Sequence, residues 1–136
     1  MKQALEKRER TLRTRMRKAP AVIKTDVLEF LPYQDKGQPI TITIHTDEFT
    51  SVCPMTGLPD FGRVVIKYVP DKTIVELKSL KYYLFQYREV GIFYEHLVNR
   101  LLDDLWNGLK PRSLTVEGIM TPRGGITTSV QASRER

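Results

Sequence analysis

Residues 39–46 read Pro39-Ile40-Thr41-Ile42-Thr43-Ile44-His45-Thr46. Ile40, Ile42 and Ile44 face one way, and Thr41, Thr43 and His45 the other. A period of two is the signature of a β-strand with one buried face. Working outward, Cys53-Pro54-Met55-Thr56-Gly57-Leu58-Pro59-Asp60-Phe61-Gly62 is dense in turn residues and reads as a loop. Val64–Val69 reads as a second strand, closed by Pro70-Asp71, and Thr73-Ile74-Val75-Glu76 as a short extended piece. The period then changes. Leu77, Leu80, Leu84 and Tyr87 fall on one stripe of a helix predicted from about Leu77 to Arg88, flanked by Lys78, Lys81 and Arg88. Gly91 breaks it. A second helix starts near Ile92, with Phe93, Leu97, Leu101 and Leu105 on its buried face and Gly108 and Pro111 at its end. Two strands follow, roughly 112–120 and 125–132, separated by Thr121-Pro122-Arg123-Gly124-Gly125. The order β-β-α-α-β-β predicts an α+β fold, an antiparallel sheet with a helical hairpin inserted in its middle.

The chain has 136 residues, which suits one domain and leaves no room for a separate cofactor-binding domain. Its formal charge of +6 first suggests a nucleic-acid or membrane partner. That excess is local. Residues 1–24 hold nine basic and two acidic residues, a net of +7, whereas the remaining 112 hold 13 basic and 14 acidic, a net of −1. The expected organisation is a basic arm over 1–21, ended as a helix by Pro20, and a nearly neutral domain over 22–136. The arm reads as a solvated helix or disordered segment. No apolar run approaches the ~18 residues of a membrane span, and the arm is followed by no apolar stretch of the kind a secretory signal needs. Glu6, Glu9 and the absence of serine argue against a transit peptide, so the expected location is the cytoplasm. One cysteine allows neither an intrachain disulfide nor a Cys-rich zinc site.

Cys53 is either a small buried hydrophobe or a nucleophile, and its Pro/Gly-rich loop favours the second. Asp60, seven residues on, can serve as a general acid or stand as an ordinary turn residue. His45 and His96 are possible bases, with no metal-binding motif around either. Glu95, between aromatic and apolar residues, can accept paired N–H bonds from a guanine-like edge or simply be a solvated helix residue. Lys78, Lys81 and Arg123 are candidate phosphate ligands, the last in a Gly-rich loop that permits close approach. The chain contains neither G-x-G-x-x-G nor G-x-x-x-x-G-K-[ST], so a nucleotide would bind by another route.

Four segments together carry a resemblance: Cys53-Pro-Met-Thr-Gly-Leu-Pro-Asp60-Phe-Gly62, Glu76-Leu-Lys78-Ser-Leu-Lys81-Tyr82, Gly91-Ile-Phe-Tyr-Glu95-His96 and Pro122-Arg123-Gly-Gly125. Over about residues 22–132 the chain is similar to the NADPH-dependent 7-cyano-7-deazaguanine reductases, the nitrile reductases of queuosine biosynthesis, in their short single-module form. The resemblance implies a tunnelling fold like that of GTP cyclohydrolase I and a homo-oligomer, two stacked pentamers forming a decamer. It implies Cys53 as the nucleophile that forms a thioimide and Asp60 as proton donor. Val75, Glu76, Leu77, Tyr94 and Glu95 would form the base pocket. Lys78, Lys81 and Arg123 would hold NADPH, two per turnover and without a metal, across a subunit boundary. The chain departs from the family at Tyr94, where a His often precedes the substrate-binding Glu. Two other functions stay open. One is an amidinotransferase acting on the same nitrile in tRNA, which would lack the Glu76–Tyr82 motif. The other is a non-catalytic binding module driven by the basic arm.

Overall fold

The structure is a computed structural model. It describes residues 1–16, 18–34 and 37–136, without the side chains of 11–16. The arm forms helix α1 (Lys2–Met16). Residues 2–10 of α1 are exposed, while the Arg13, Arg15 and Arg17 side chains invoked for the arm's charge lie outside the described residues. Among the described residues the helices and strands are, in chain order, α1, β1 (Phe30–Pro32), β2 (Ile42–Val52), β3 (Pro59–Val69), β4 (Thr73–Val75), α2 (Leu77–Phe85), α3 (Tyr94–Leu109), β5 (Ser113–Met120) and β6 (Ser129–Glu135). Short 3₁₀ turns occupy Pro20–Val22 and Gln86–Glu89.

The expected plan is present. Four strands form one antiparallel sheet in the order β2-β3-β5-β6, and α2 and α3 lie in sequence between β3 and β5. The inward faces of β3 (Val64, Ile66, Tyr68) and β5 (Leu114, Val116, Met120) pack with Leu97, Leu101, Leu105 and Leu109 of α3 in one core. Gly118 lets α3 approach β5, since a Cβ there would stand 3.1 Å from Cγ2 of Val98.

Several boundaries differ from expectation, each for a physical reason. The first strand begins at Ile42 and runs to Val52, so Ile40 lies outside it. Its register slips between Thr46 and Phe49. Before the slip Ile42 and Ile44 pack toward the core; after it the inward residues are Phe49 and Ser51. A β-bulge changes which parity faces inward, and no simple alternation can reveal it. The second strand starts at Pro59 rather than Val64, so Asp60 stands on a strand and not in the loop. Proline at the first strand position needs no donor of its own. In α2 the buried residues are Ser79, Leu80 and Tyr83, whereas Leu77 is 61% exposed. The α-helix ends at Phe85 and Tyr87 reaches the core from a 3₁₀ turn.

Phe93 is exposed and precedes α3 instead of packing beneath it. Gly108 does not end α3; it sits inside the helix because a Cβ there would collide with the Phe30 ring, and Lys110 closes the helix in a left-handed conformation (φ 48°). The last strand spans Ser129–Glu135, later than expected. One element was not foreseen: β1 pairs with β4, Phe30 opposite Val75.

Candidate functional site

Cys53 follows β2 directly, at the mouth of the hairpin to β3. Val52 pairs with Pro59, Cys53 N–H donates to Leu58 O (2.9 Å), and Gly57 N–H donates to Cys53 O (2.8 Å). Gly57 takes φ +71°, the left-handed conformation this closure requires. The other side of β2 is stitched to the segment between the helices, with Val52 N–H donating to Val90 O (2.9 Å) and Ile92 N–H to Val52 O (3.2 Å). The thiol is therefore half-buried on a fixed backbone. Burial pushes its pKa up. The Thr56 hydroxyl and the Thr56 and Met55 N–H groups hydrogen-bond the sulfur and outweigh burial, so the Cys53 pKa lies below its ordinary value; the charge of Asp60 opposes them.

Asp60 lies two residues from the sheet end on the inward face of β3, 3% exposed. Its Oδ1 is in ion-pair contact with the Arg123 guanidinium, whose Nη2 also donates to Pro59 O (2.7 Å). Oδ1 nevertheless makes no hydrogen bond of normal geometry among the described residues. Arg123 is placed by a tight turn in which Arg123 N–H donates to Ile126 O and Ile126 N–H to Arg123 O, both 2.9 Å, around Gly124 and Gly125 at positive φ. Tyr94, the first residue of α3, completes the cluster. Burial, then a hydrogen bond to Asp60 and that group's charge, push its phenol pKa up to about 12, with Arg123 opposing. One thiol, one carboxylate, one phenol and one guanidinium thus meet at one end of the sheet.

Other expected site residues lie elsewhere. Asp60 and Tyr68 are eight residues apart on β3, roughly 26 Å at the usual strand rise. Val75 N–H donates to the Tyr68 hydroxyl (3.2 Å), which sets Val75 by the end of β3 away from Asp60, while Leu77 and Lys81 line a cavity with Phe49 and Thr50 of β2. Glu76 is the N-cap of α2: its carboxylate accepts from Ser79 N–H (2.7 Å) and Lys78 N–H (2.9 Å), and these bonds hold its pKa below the ordinary value. Lys78 and Lys81 are exposed on the same helix. Glu95 is exposed in the first turn of α3. His45 stands opposite Val65, eight residues before Cys53, and is not beside the thiol. His96 is exposed, at a cleft with Pro54 and Phe93. Among the described residues no three His, Cys, Asp or Glu side chains form a metal-binding cluster, and no helix is long and apolar enough to cross a membrane.

Sequence reasoning missed three features. Thr56 as a donor to the thiol was detectable as a Thr three residues after a loop Cys. The Arg123–Asp60 contact joins residues far apart in sequence and had no local signal. A buried network on α2 and α3 was also unforeseen: the Tyr83 hydroxyl donates to Asp104 (2.5 Å), lies 2.9 Å from the Tyr87 hydroxyl, and Arg100 Nε donates to the same Asp104 oxygen (2.8 Å).

A family model described as QueF-like protein matches residues 59–136. A protein of Chlorobium phaeovibrioides named NADPH-dependent 7-cyano-7-deazaguanine reductase is 53% identical over 111 residues, 82% of this chain and 96% of that protein. Proteins of the same name from Chloroherpeton thalassium (50% over 113 residues; 83% and 97%) and Caldicellulosiruptor bescii (51% over 114 residues; 84% and 87%) are similar. A solved structure, an archaeosine synthase QueF-Like in the apo form, superposes with a TM-score of 0.66 at 24% identity, covering 71% of this chain and 94% of that one, and speaks to the fold alone. By its family match and by relatives that align over nearly their whole length, this chain belongs to the QueF-like family of NADPH-dependent 7-cyano-7-deazaguanine reductases.

Proposed function

We propose that this chain reduces the nitrile of 7-cyano-7-deazaguanine to the primary amine, with NADPH as the reductant. The observation that carries the reading is a cysteine of lowered pKa on the same hairpin as a buried aspartate, fixed by backbone hydrogen bonds on both sides. Cys53 sulfur adds to the electrophilic nitrile carbon, forming a C–S bond while one C–N π bond breaks. Asp60, ion-paired as a carboxylate with Arg123, takes the thiol proton and delivers it to the nitrile nitrogen, giving a neutral thioimide. NADPH, when bound, would supply two hydrides per nitrile; with two protons these take the carbon to the amine, and between them the C–S bond breaks, returning its electron pair to the Cys53 sulfur. Tyr94 holds the Asp60 carboxyl group through its phenol, and the exposed Glu95 carboxylate is free to accept N–H groups of the base edge.

The contact of Val75 with Tyr68, at the end of β3 away from Asp60, supports a composite site. Glu76, Val75 and Leu77 for the base, and Lys78 and Lys81 for cofactor phosphates, come from a neighbouring copy. Their exposed ammonium groups beside a capped helix start suit a phosphate-bearing group. Arg123 reaches such a phosphate only by leaving Asp60. The open edges of β2 and β6 suit pairing between copies in a ring, and a tunnelling-fold decamer of two pentamers fits that need. The basic arm over 1–21 stands outside this site in the reading. Purified protein given substrate consumes two NADPH per nitrile, and without NADPH gains the mass of one substrate at Cys53. No NADPH consumption with substrate bound, or product formed from ammonia and nitrile-bearing tRNA without NADPH, overturns it.

A further inference from the structure

Ser51 is 0% exposed, and its Oγ has no hydrogen-bond partner among the described residues. A buried hydroxyl without a partner is costly, and such groups are rare in folded proteins. Its place in the fold is specific. The bulge between Thr46 and Phe49 turns Ser51 inward, and the register sets it directly opposite Asp60. Side chains opposite each other across an antiparallel pair have Cβ atoms about 4.5–5.5 Å apart. The Ser51 hydroxyl and the Asp60 carboxyl therefore approach hydrogen-bond range through side-chain rotation alone. The Asp60 carboxylate is held by the Arg123 ion pair at Oδ1 and by Tyr94. An unpartnered buried hydroxyl thus faces that carboxylate across two strands, two residues before the thiol.

We propose that Ser51 is a positioning residue for Asp60: its hydroxyl donates to the Asp60 carboxylate from the core side and fixes the oxygen that receives the thiol proton. The role rests on the reductase reading above. Arg123 and Tyr94 approach Asp60 from the loop and helix sides, and neither is anchored in the sheet. Arg123 rides on a Gly-Gly turn, so its hold is the one that yields when a ligand phosphate competes for it. Ser51 then keeps the carboxyl group aligned, and when Asp60 carries the proton the hydroxyl oxygen accepts it in turn.

The test is Ser51→Ala in the full chain, assayed beside the parent. A misaligned proton carrier lowers kcat by roughly tenfold or more, with KM for the nitrile unchanged within about twofold and the melting temperature no lower. The S51A change in an Asp60→Asn background alters the residual rate of Cys53 adduct formation, followed by intact mass, by less than twofold. Three results overturn the proposal: a kcat within twofold of the parent, a loss that comes with a fall in melting temperature of several degrees, or an equal loss in both backgrounds. A parent that turns over no nitrile refutes the reductase reading and this role with it. An active parent with an indifferent S51A refutes this role alone.

Discussion

Thr56→Val tests the origin of the lowered Cys53 pKa. The substitution keeps the side-chain shape and removes the hydroxyl that donates to the sulfur. It also removes the acceptor for Leu58 N–H (3.2 Å). The loop stays closed, because the Cys53–Leu58 and Gly57–Cys53 backbone bonds do not involve that hydroxyl. Donors to sulfur stabilise the thiolate, so losing one raises the thiol pKa. A hydrogen bond of this kind contributes about 0.5–1.5 kcal/mol net, a factor of roughly 2–10 in thiolate population below the pKa. The Thr56 and Met55 N–H groups remain, so the thiol is weakened and not silenced. The single cysteine makes the assay clean: alkylation by iodoacetamide is followed by intact mass across pH 6–10. The expected result is a midpoint displaced to higher pH and a rate at neutral pH about 2–10 times lower. An unchanged or lower midpoint in a variant with the parent's melting temperature would show that the hydroxyl does not tune the thiol.

Two further outcomes are expected. Tyr83→Phe removes the donor to the partly buried Asp104 and a partner of the buried Tyr87, costing about 1–3 kcal/mol; thermal melting should fall by several degrees while the Cys53 alkylation profile stays in place. The double variant Lys78→Ala/Lys81→Ala should raise KM for NADPH at least tenfold, yet leave the substrate adduct at Cys53 forming at the parent rate without cofactor; a slower adduct would place these lysines at the nucleophile's own site.

Much of the fold was legible because periodicity reports burial. The Leu97, Leu101, Leu105 stripe marks a real core face, and β3 and β5 are strands as read, with burial alternating along each. Leu77 misled because, although in phase with the stripe, it stands 61% exposed at a cavity between α2 and β2. Tyr83 stands outside the stripe read for α2, and its partner Asp104 lies 21 residues away on another helix. Within the site, Cys53 and Asp60 were legible as loop chemistry even though Asp60 belongs to a strand. Arg123 read as a phosphate ligand, and only the fold shows its guanidinium on Asp60. The Glu76 segment read as part of the base pocket, and the fold adds that its carboxylate caps α2.

The slip in β2 acts on the strand as a frameshift acts on a message. From Ile42 to Thr46 the even-numbered residues are the more buried, and after the slip Phe49 and Ser51, odd-numbered, take the inward face, with Val52 buried on the other side at the strand's end. Each half thus obeys its own spelling rule, and the junction at Asp47 and Glu48, both exposed, is where the two rules meet. Removing one of the two would leave a single residue opposite Arg63, so Phe49 and Ser51 would keep their partners Gly62 and Asp60 and their inward face with no bulge. Removing both would set Phe49 next to Thr46 and turn Phe49 and Ser51 over to the other face. One residue between Thr46 and Phe49 is thus required by the register, and the second is surplus to it.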